Sequence, residues 1–343
     1  MSWLLRICFA LWLRVRSFVM NIFSKSSAFS GTLFLRDSKT RLPFLEGANL
    51  PWLHYGNDFG ANAWYPSGGI SRTEERQKLL HFFKKLRERG VLTLRWFLFC
   101  DGRAGIRFTP AGTPVGPDAF LFADLDTALE IAGACRLKII FVLFDYLWFA
   151  KALMINGVQV RGRSGTIKRA FKQRALQRRL LRPLFKQYGR SSIILAWDIV
   201  NEPEWATRGC GGGFSGNVVT FLTMRSFIKR TARLIHRHTD HLATVGLGSA
   251  AGLTLVRDCD LDFYQVHWYD RWQAAAPLDR PVAALDLDRP LLLGEFPTRN
   301  STRSASEIVS ACKKNGYCGA LAWSLLATDR SSGIDPDNWT FVG

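Results

Sequence analysis

The sequence predicts an α/β protein built as a single (β/α)8 barrel, and two observations lead to this fold. Eight short apolar runs, each of strand length, alternate with helical patterns along the chain. Alternating strands and helices favour a parallel sheet that closes into a barrel. The chain has 343 residues with 48% hydrophobic content, which is enough to bury one large core. Because no repeat or low-complexity linker marks a boundary, one barrel domain is expected.

The eight expected strands follow one another in chain order. Each is an apolar run that turn-forming residues bound on both sides. The runs are Phe44–Leu53, Val91–Phe99, Lys138–Asp145, Ile193–Val200, Leu242–Gly248, Phe263–Tyr269, Leu291–Glu295 and Gly319–Leu325. The carboxyl ends of parallel barrel strands converge on one face, so function is expected in the loops after the strands.

The first helical pattern carries its own start and stop signals. In SRTEERQKLLHFFKKLRERG, Ser71 stands three residues before Glu74, which is the spacing of a helix N-cap. Gly90 is expected to end the helix, because glycine adopts the left-handed conformation that follows many helices.

The chain is basic, with a formal net charge of +18, and its cations are unevenly placed. Twelve Lys or Arg and no Asp or Glu occur between Lys151 and Arg190. One interpretation is the solvated face of a helix; the other is attraction to an acidic polysaccharide, a nucleic acid or an anionic lipid. No nucleic acid is expected as a partner, since no RNA-binding motif or zinc-finger spacing occurs. The helix interpretation turns four residues inward: Phe171, Leu176, Leu180 and Leu184.

Residues 1–28 form a separate apolar and basic segment before the barrel at residues 29–343. Arg6, Arg14 and Arg16 interrupt the apolar run, so a membrane-spanning helix is not expected. The absence of a clear small-residue cleavage site weakens the alternative of a signal peptide. The pattern favours an amphipathic helix that lies on a membrane or on the protein itself. The sequence after the last strand leaves no room for a regular eighth helix, and we expect this segment to cover the gap.

Seven dispersed cysteines indicate buried small hydrophobic side chains rather than a disulfide framework, although Cys312 and Cys318 are close enough in sequence to pair. Three histidines at the end of a helix, in RLIHRHTDH, indicate a helix terminus and a turn. No spacing typical of a metal site occurs.

Two glutamates are expected at strand ends. In SSIILAWDIVNEPEW an apolar strand stops at Glu202, and Pro203 should hold that glutamate in extended geometry. In RPLLLGEFP a second strand ends at Glu295. Two such carboxylates can meet across the barrel face, which is the arrangement that glycoside hydrolysis uses.

Four motifs in a fixed order carry a family resemblance: WDIVNEPE, VHWYD, LLLGEFP and LAWSLL. Over about residues 42–330 the chain resembles clan A of the glycoside hydrolases, and within it family 5, which contains cellulases and mannanases. The resemblance implies a retaining hydrolase of β-linked glucan, mannan or related oligosaccharides. Such an enzyme works by double displacement without a cofactor, and we expect a monomer with a carbohydrate substrate.

The resemblance also implies roles for individual residues. Glu202 would be the general acid and base, and Glu295 the nucleophile. Asn201 would bind the sugar 2-hydroxyl, while Arg95 and Tyr269 would hold the nucleophile. Arg95 also stands out by itself, because burying an unpaired arginine in the apolar run LTLRWFLF would be costly.

Further binding residues are predicted around this pair. His267 matches the His-x-Tyr pattern of the family, with a core histidine as the alternative, and Trp323 matches the tryptophan that floors the sugar site. After the third strand, where family members often have histidine, this chain has LFDYLWF, from which Asp145 and Trp148 are candidate sugar contacts. Four more tryptophans near strand ends are candidate stacking platforms, with core packing as the alternative: Trp64, Trp205, Trp268 and Trp272.

Three other functions remain open at this point. A transglycosylase and an exo-acting glycosidase of the same clan would carry the same motifs. A carbohydrate-binding protein without catalysis, attached to a membrane through its basic N-terminal segment, is the alternative outside enzymes. The Glu202, Glu295, Arg95 and Tyr269 set argues against a pure binder, which has no use for an arginine buried beside two acids.

Overall fold

A computed structural model provides the structure, which describes residues 32–36, 40–210, 219–271, 273 and 278–335. The predictions for residues 1–28, for Cys8 and for Trp272 lie outside this part of the chain. No helix among the described residues is both long enough and apolar enough to cross a membrane.

A closed barrel of parallel strands forms the centre of the molecule. Thirteen strands are described: β1 Leu45–Leu50, β2 Thr93–Phe97, β3 Ile106–Phe108, β4 Pro114–Pro117, β5 Lys138–Asp145, β6 Leu153–Ile155, β7 Val158–Val160, β8 Ile194–Asn201, β9 Leu242–Thr244, β10 Gly246–Leu247, β11 Tyr264–His267, β12 Leu291–Pro297 and β13 Gly319–Trp323. Nine of them form one sheet, in the order β10-β11-β12-β13-β1-β2-β5-β8-β9. The first and last of these are successive halves of one barrel strand, so the sheet closes with eight positions. The predicted (β/α)8 fold is confirmed.

Each predicted strand overlaps an observed one. The third has the predicted bounds, Lys138–Asp145. The seventh continues beyond Glu295 to Pro297, so this glutamate lies within its strand near the carboxyl end. The fifth is interrupted at Val245, between β9 and β10.

Helices and short turns connect the strands on the outside of the barrel. The α-helices are α1 Thr73–Glu88, α2 Leu121–Ala134, α3 Gly165–Lys168, α4 Ala170–Leu176, α5 Arg182–Tyr188, α6 Phe221–His238, α7 Leu253–Val256 and α8 Ala305–Lys314. A π-helical turn, Gln177–Leu181, joins α4 to α5, and 3-10 turns cover Tyr146–Phe149, Pro203–Ala206, Ala250–Gly252 and Val282–Leu285. Within residues 324–335, no helix follows β13.

The barrel interior has an apolar lower layer and a polar upper layer. At the amino ends of the strands, Leu33 packs against a buried cluster that includes Ile140, Leu292 and Leu321. Toward the carboxyl ends, the buried interior residues are polar instead, and Arg95 is fully buried among them. Charged groups need partners when they are buried, so this upper layer is where a site is built.

The basic segment is broken into several helices, which corrects one predicted side-chain orientation. Leu176, Leu180 and Leu184 are fully buried, as expected for an inward face. Phe171 is 52% exposed, contrary to the prediction. It lies in the first turn of α4, five residues before Leu176. At about 100° per residue, a spacing of five turns the two side chains about 140° apart, so Phe171 points away from the inward face.

The six described cysteines are all free, including Cys312 and Cys318. Five of them are buried, as small hydrophobic side chains would be. His236 donates to or accepts from Asp262 at 2.8 Å near the end of α6, in agreement with the interpretation of that histidine cluster as a helix terminus.

The loop between β1 and α1 is held by one buried carboxylate, Asp124 of α2. It accepts hydrogen bonds from the backbone amides of Gly60 at 2.7 Å, Gly69 at 3.1 Å and Ser71 at 2.8 Å. Ser71 is therefore not the predicted N-cap: α1 begins at Thr73 after Arg72, whose side chain makes no capping bond. The competing tertiary bond to Asp124 decides where this helix starts.

We predict that Asp124→Ala lowers the free energy of unfolding by about 2–4 kcal/mol, because it leaves buried amide donors without an acceptor. Chemical denaturation measures the change. The matched control is Glu130→Ala in the same helix, which removes an exposed ion pair with Arg76 and is expected to cost less than about 1 kcal/mol. Equal effects of the two substitutions would contradict the anchoring role of Asp124.

Candidate active site

The two predicted glutamates meet at the carboxyl face of the barrel. One carboxylate oxygen of Glu202, one of Glu295 and a ring nitrogen of His267 all lie within 4.8 Å of one another. Carboxyl groups about 5–5.5 Å apart are typical of retaining glycosidases, and inverting enzymes need about 6.5–9.5 Å to admit a water molecule. The spacing therefore suits attack by one carboxylate while the other transfers a proton.

The backbone at Glu202 is strained. Its φ of 46° and ψ of 51° place it in the left-handed region, so the prediction that Pro203 keeps it extended is wrong. The Glu202 amide donates to the carbonyl of Gly246 at 2.6 Å, which ties the end of β8 to β10. Left-handed residues other than glycine cost on the order of 1 kcal/mol and persist where the surroundings fix them, often at functional sites.

Arg95 is the centre of the polar layer below the glutamates. Its five N–H donors make five hydrogen bonds, at 2.7–3.0 Å. Two go to Asp198 and one each to Asn49, Asn201 and Glu295. A fully buried guanidinium is tolerated here because every donor has an acceptor and two of those acceptors are carboxylates.

Asp198 completes the compensation of this buried charge. Besides Arg95, it accepts from the side-chain amide of Gln265 at 2.7 Å and from the amide of Gly246 at 2.9 Å. Gly246 leaves the space that this network needs, because a Cβ there would lie 2.6 Å from the Arg95 guanidinium. Our sequence reasoning did not select Asn49, Asp198 or Gln265. The pattern that pointed to Arg95, a polar residue inside an apolar strand, also occurs at these three positions and could have identified them.

Glu295 has two strong partners that favour its ionised form. Arg95 donates to it at 2.7 Å, and the Tyr269 hydroxyl donates to it at 2.7 Å. Burial raises the pKa of Glu295, and the nearby Glu202 adds to that, while His267, Arg95 and Tyr269 lower it. A guanidinium and a phenol that both donate to one carboxylate hold negative charge on it, as a nucleophile requires.

Glu202 lies in surroundings that favour its protonated form. Burial raises its pKa, which the hydrogen bond from Trp205 and the more distant Arg95 only partly offset. His267 touches Glu202 through Nδ1 at 2.9 Å, and burial lowers the pKa of this histidine to about 4, so the ring is neutral near pH 7. Because their partners differ, Glu202 is suited to be the proton donor and Glu295 to be the anion.

Asn201 links the acid to the network beneath it. Its side-chain oxygen accepts from Arg95 at 2.7 Å, and its amide nitrogen donates to Asp145 at 2.8 Å. Asp145 also accepts from the amide of Leu147, and burial raises its pKa to about 7. Both Asn201 and Asp145 line the cleft, so their polar atoms face the place where a substrate would lie.

The cleft above the glutamates has a volume of about 1010 Å³, at the upper end of the range for small-molecule sites. Six of the predicted site residues line it: Glu202, Glu295, Asn201, Tyr269, Trp323 and Asp145. Arg95 and His267 lie beneath it with no exposed surface. The lining residues that were not predicted include Trp52, Tyr55, Tyr146, Glu204 and Asp329.

The predicted tryptophans divide between the cleft and the core. Trp205 is 40% exposed and lines the cleft, where it donates to Glu202 at 2.9 Å. Trp268 is buried and does not line the cleft, so the prediction of a platform there is wrong. Trp64 lies under the guanidinium of Arg103, outside the cleft.

The prediction that Trp148 contacts the sugar is wrong, because Trp148 does not line the cleft. The 3-10 turn Tyr146–Phe149, capped by Asp145, presents Tyr146 and Leu147 to the cleft instead. Trp148 points into the core, packs on Phe144 at 4.7 Å and donates to Thr166. The direction of one residue in a tight turn depends on the turn type, which the sequence pattern did not resolve.

Glu202, His267 and Glu295 are residue types that also bind metal ions. In this site, however, a guanidinium already contacts Glu295 at 2.7 Å and compensates the negative charge. The geometry of the three groups, with a neutral histidine and a phenol around them, suits proton transfer and covalent catalysis.

Comparison with known proteins supports this interpretation. No family model matches the chain. It is 27% identical over 323 residues to a mannan endo-1,4-β-mannosidase from Mytilus edulis, with 82% of this chain and 83% of that protein covered. A mannan endo-1,4-β-mannosidase from Cryptopygus antarcticus is 26% identical over 361 residues, covering 90% and 88%. The chain is a glycoside hydrolase, and its likeness to these proteins supports the resemblance to family 5 of clan A.

Solved structures have the same fold as this chain. The endo-1,4-β-mannanase of Eisenia fetida superposes with a TM-score of 0.73 at 23% identity, over 84% of this chain and 87% of that one. The β-mannanase of Mytilus edulis gives 0.69 at 21% identity, over 84% and 88%. At these identities the likeness establishes the barrel fold.

We predict that Tyr269→Phe moves the acidic limb of the kcat/KM pH profile upward by about one unit, because the hydroxyl that lowers the pKa of Glu295 is lost. The nucleophile must be ionised, so a higher pKa removes activity at the acidic side first. The control is Tyr264→Phe at the amino end of β11, the strand that precedes Tyr269; the Tyr264 hydroxyl donates to Asp288 outside the cleft. An unchanged acidic limb in Tyr269→Phe would contradict this role.

Proposed function

We propose that this family 5-like chain is a retaining endo-acting hydrolase of β-1,4-linked mannan and related manno-oligosaccharides, and that it acts as a monomer. The names of its relatives from Mytilus edulis and Cryptopygus antarcticus support the substrate class. The mechanism rests on two observations. Carboxylate oxygens of Glu202 and Glu295 lie within 4.8 Å of each other, and of these two glutamates it is Glu295 that accepts hydrogen bonds from Arg95 and Tyr269.

In the first step, the Glu295 carboxylate attacks the anomeric carbon while the bond to the glycosidic oxygen breaks. Glu202 gives its proton to that oxygen, so the departing sugar leaves as a neutral alcohol. The product is a covalent glycosyl ester on Glu295. Arg95 and Tyr269 support the ionised nucleophile before attack.

In the second step, Glu202 acts as a base. It removes a proton from a water molecule, which attacks the same anomeric carbon and releases Glu295 as a carboxylate. Two inversions restore the original anomeric configuration. His267, neutral and 2.9 Å from Glu202, holds the acid in place through both proton transfers.

Asn201 is proposed to bind the sugar 2-hydroxyl in this mechanism. Its amide group is fixed between Arg95 and Asp145, so little side-chain entropy is lost when the sugar binds. Trp323 is proposed to form the floor under the sugar at the cleavage site. Its indole nitrogen donates to Asp329 at 2.9 Å, which orients the ring in the cleft wall.

We predict that Glu202→Gln reduces hydrolysis of manno-oligosaccharides by about 10²–10⁴-fold, the usual contribution of general acid catalysis. The loss should be much smaller for the first step on a dinitrophenyl β-mannoside, whose leaving group needs no proton. Glu295→Gln should abolish turnover of both substrates, because the nucleophile is lost.

NMR of the first product formed decides the stereochemistry, and Glu74→Gln, an exposed glutamate of α1, is the matched control. We expect the β-anomer first and full activity in the control. An α-anomer as the first product would overturn the retaining mechanism. Saccharide binding without turnover in the wild type would favour the carbohydrate-binding alternative, and dominant formation of longer oligosaccharides would favour transglycosylation.

We also propose that the basic segment contacts an anionic lipid surface. No acidic residue occurs between residues 146 and 197. Strand β6 of the β6–β7 hairpin exposes Leu153, Met154 and Ile155, with Met154 67% exposed. Apolar side chains beside cations are typical of interfacial binding. Nine cations of the segment are exposed: Lys151, Lys168, Arg169, Arg174, Arg178, Arg179, Arg182, Lys186 and Arg190.

We predict that the double variant Arg178→Glu/Arg179→Glu binds phosphatidylserine vesicles at least about tenfold more weakly than the wild type, since each cation near such a surface contributes about 1 kcal/mol. Vesicle sedimentation at two salt concentrations measures this. Lys84→Glu/Lys314→Glu makes the same charge change at other exposed sites and serves as the control. Equal losses in both double variants would show that net charge, not this segment, determines binding.

A further inference from the structure

A third carboxyl group, Glu204, lies in the wall of the cleft. It belongs to the 3-10 turn Pro203–Ala206, two residues after Glu202, and is only 6% exposed. The mechanism described above makes no use of it. Because a buried carboxyl needs hydrogen bonds or a charged partner, its surroundings indicate what it does.

Glu204 differs from the other buried carboxyls of the site in its partners. Within the described part of the chain, no side chain donates to its carboxylate. The backbone amides of Glu204, Gly248 and Ser249 lie close enough to lower its pKa without reaching hydrogen-bond geometry. The loop at Gly252 makes room for it, since a Cβ at that glycine would lie 2.0 Å from the Glu204 carboxyl. A buried polar group without a partner, placed against a cleft, is suited to a partner that arrives with the ligand.

The electrostatic surroundings favour a neutral Glu204. Burial raises its pKa to about 8, and the charge of Glu202 adds to this, while the backbone near Gly248 and Ser249 lowers it only in part. The ionisable groups that face it are Glu202 and Cys210. Burial and the charge of Glu204 raise the pKa of Cys210. A neutral carboxyl group both donates and accepts hydrogen bonds, which matches a sugar hydroxyl.

The position of Glu204 identifies the side of the cleft that it serves. Glu204 lies above β8 and β10, next to the acid Glu202. Trp323 stands on β13, four strands from β8 in the barrel order and therefore on the opposite side. Since Glu202 protonates the departing oxygen, the sugar that leaves extends over the Glu202 side of the cleft.

We propose that Glu204 donates a hydrogen bond to a hydroxyl of the sugar on the leaving-group side of the cleft, and so selects saccharide over non-saccharide leaving groups. This inference rests on the proposed hydrolysis of β-linked oligosaccharides. Glu204 forms no covalent bond and moves no proton of the reaction. It is a binding residue that increases the affinity for the leaving sugar.

The test compares two substrate classes in three variants. Manno-oligosaccharides place a sugar on the leaving-group side, whereas nitrophenyl β-mannoside places there a ring without sugar hydroxyls. For Glu204→Ala we expect KM for mannopentaose to rise about tenfold, as for loss of one buried hydrogen bond. KM for the aryl substrate should stay within about twofold. Glu204→Gln, which also donates and accepts, should restore mannopentaose binding, and Glu74→Gln should match the wild type.

The pH dependence gives a second readout. In the wild type, KM for mannopentaose should rise as the pH passes about 8, where Glu204 ionises and loses its donor. In Glu204→Gln the KM should not rise there. An unchanged KM in Glu204→Ala, or an equal rise in KM for both substrate classes in a folded variant, would overturn the proposal.

A thermal melt without substrate tests the protonation of Glu204 separately. Its pKa is raised by folding from 4.5 to about 8, so the wild type loses stability as the pH rises across that interval. The Tm advantage of Glu204→Gln over the wild type should therefore grow from pH 4.5 to 8 and then stay constant. A pH-independent difference would show that Glu204 is ionised throughout, and would overturn its role as a donor.

The proposal about Glu204 and the proposal about mannan can fail independently. If the chain cleaves β-glucans instead of mannan, the same comparison is made with cellopentaose and an aryl β-glucoside. Glu204→Ala should again raise KM about tenfold for the pentaose and leave KM for the aryl substrate within about twofold. If the wild type hydrolyses neither, titration calorimetry with both pentaoses replaces kinetics. Weaker saccharide binding by Glu204→Ala than by Glu204→Gln would support the role of Glu204, and equal affinity would overturn it.

Discussion

The buried guanidinium of Arg95 is the interaction on which the rest of the site depends. It sits inside the barrel with all five donors used. Its acceptors come from three strands, β1, β8 and β12, while β2 supplies the arginine itself. A charge buried this deeply is stable only when its partners stay in place, so the network fixes the relative positions of these strands. Glu295 is one of those partners, so its carboxylate is held in a fixed position.

The three glutamates that line the cleft have three different environments. Glu295 receives a guanidinium and a phenol, Glu202 receives an indole and a neutral imidazole, and Glu204 receives no hydrogen bond from the described residues. The chemistry of each follows from those partners, because ionisation depends on compensating charge and donors. A barrel supports this division of roles, since each strand end can present its side chain to a separate part of one pocket.

Much of the fold was predictable, because strands and helices leave periodic patterns in the sequence. The eight apolar runs and their order gave the barrel, and the positions of Glu202 and Glu295 followed from strand ends. Errors occurred where a tertiary contact or a local turn overrode the pattern. A hydrogen bond to Asp124 shifts the start of α1, and a 3-10 turn directs Trp148 into the core. Phe171 is exposed because its spacing of five from Leu176 does not match the helical period.

The sequence by itself determined which residues had to find partners: an arginine in an apolar strand and glutamates where strands stop. Those are statements about residue type and order, to which hydrophobic periodicity gives direct access. Only the tertiary structure decided which residues are the partners of Arg95. Asn49, Asp198 and Glu295 are 46, 103 and 200 residues from it in the sequence. It also decided that Glu204 is left without a donor, since burial and hydrogen bonding depend on contacts between distant segments that no local pattern records.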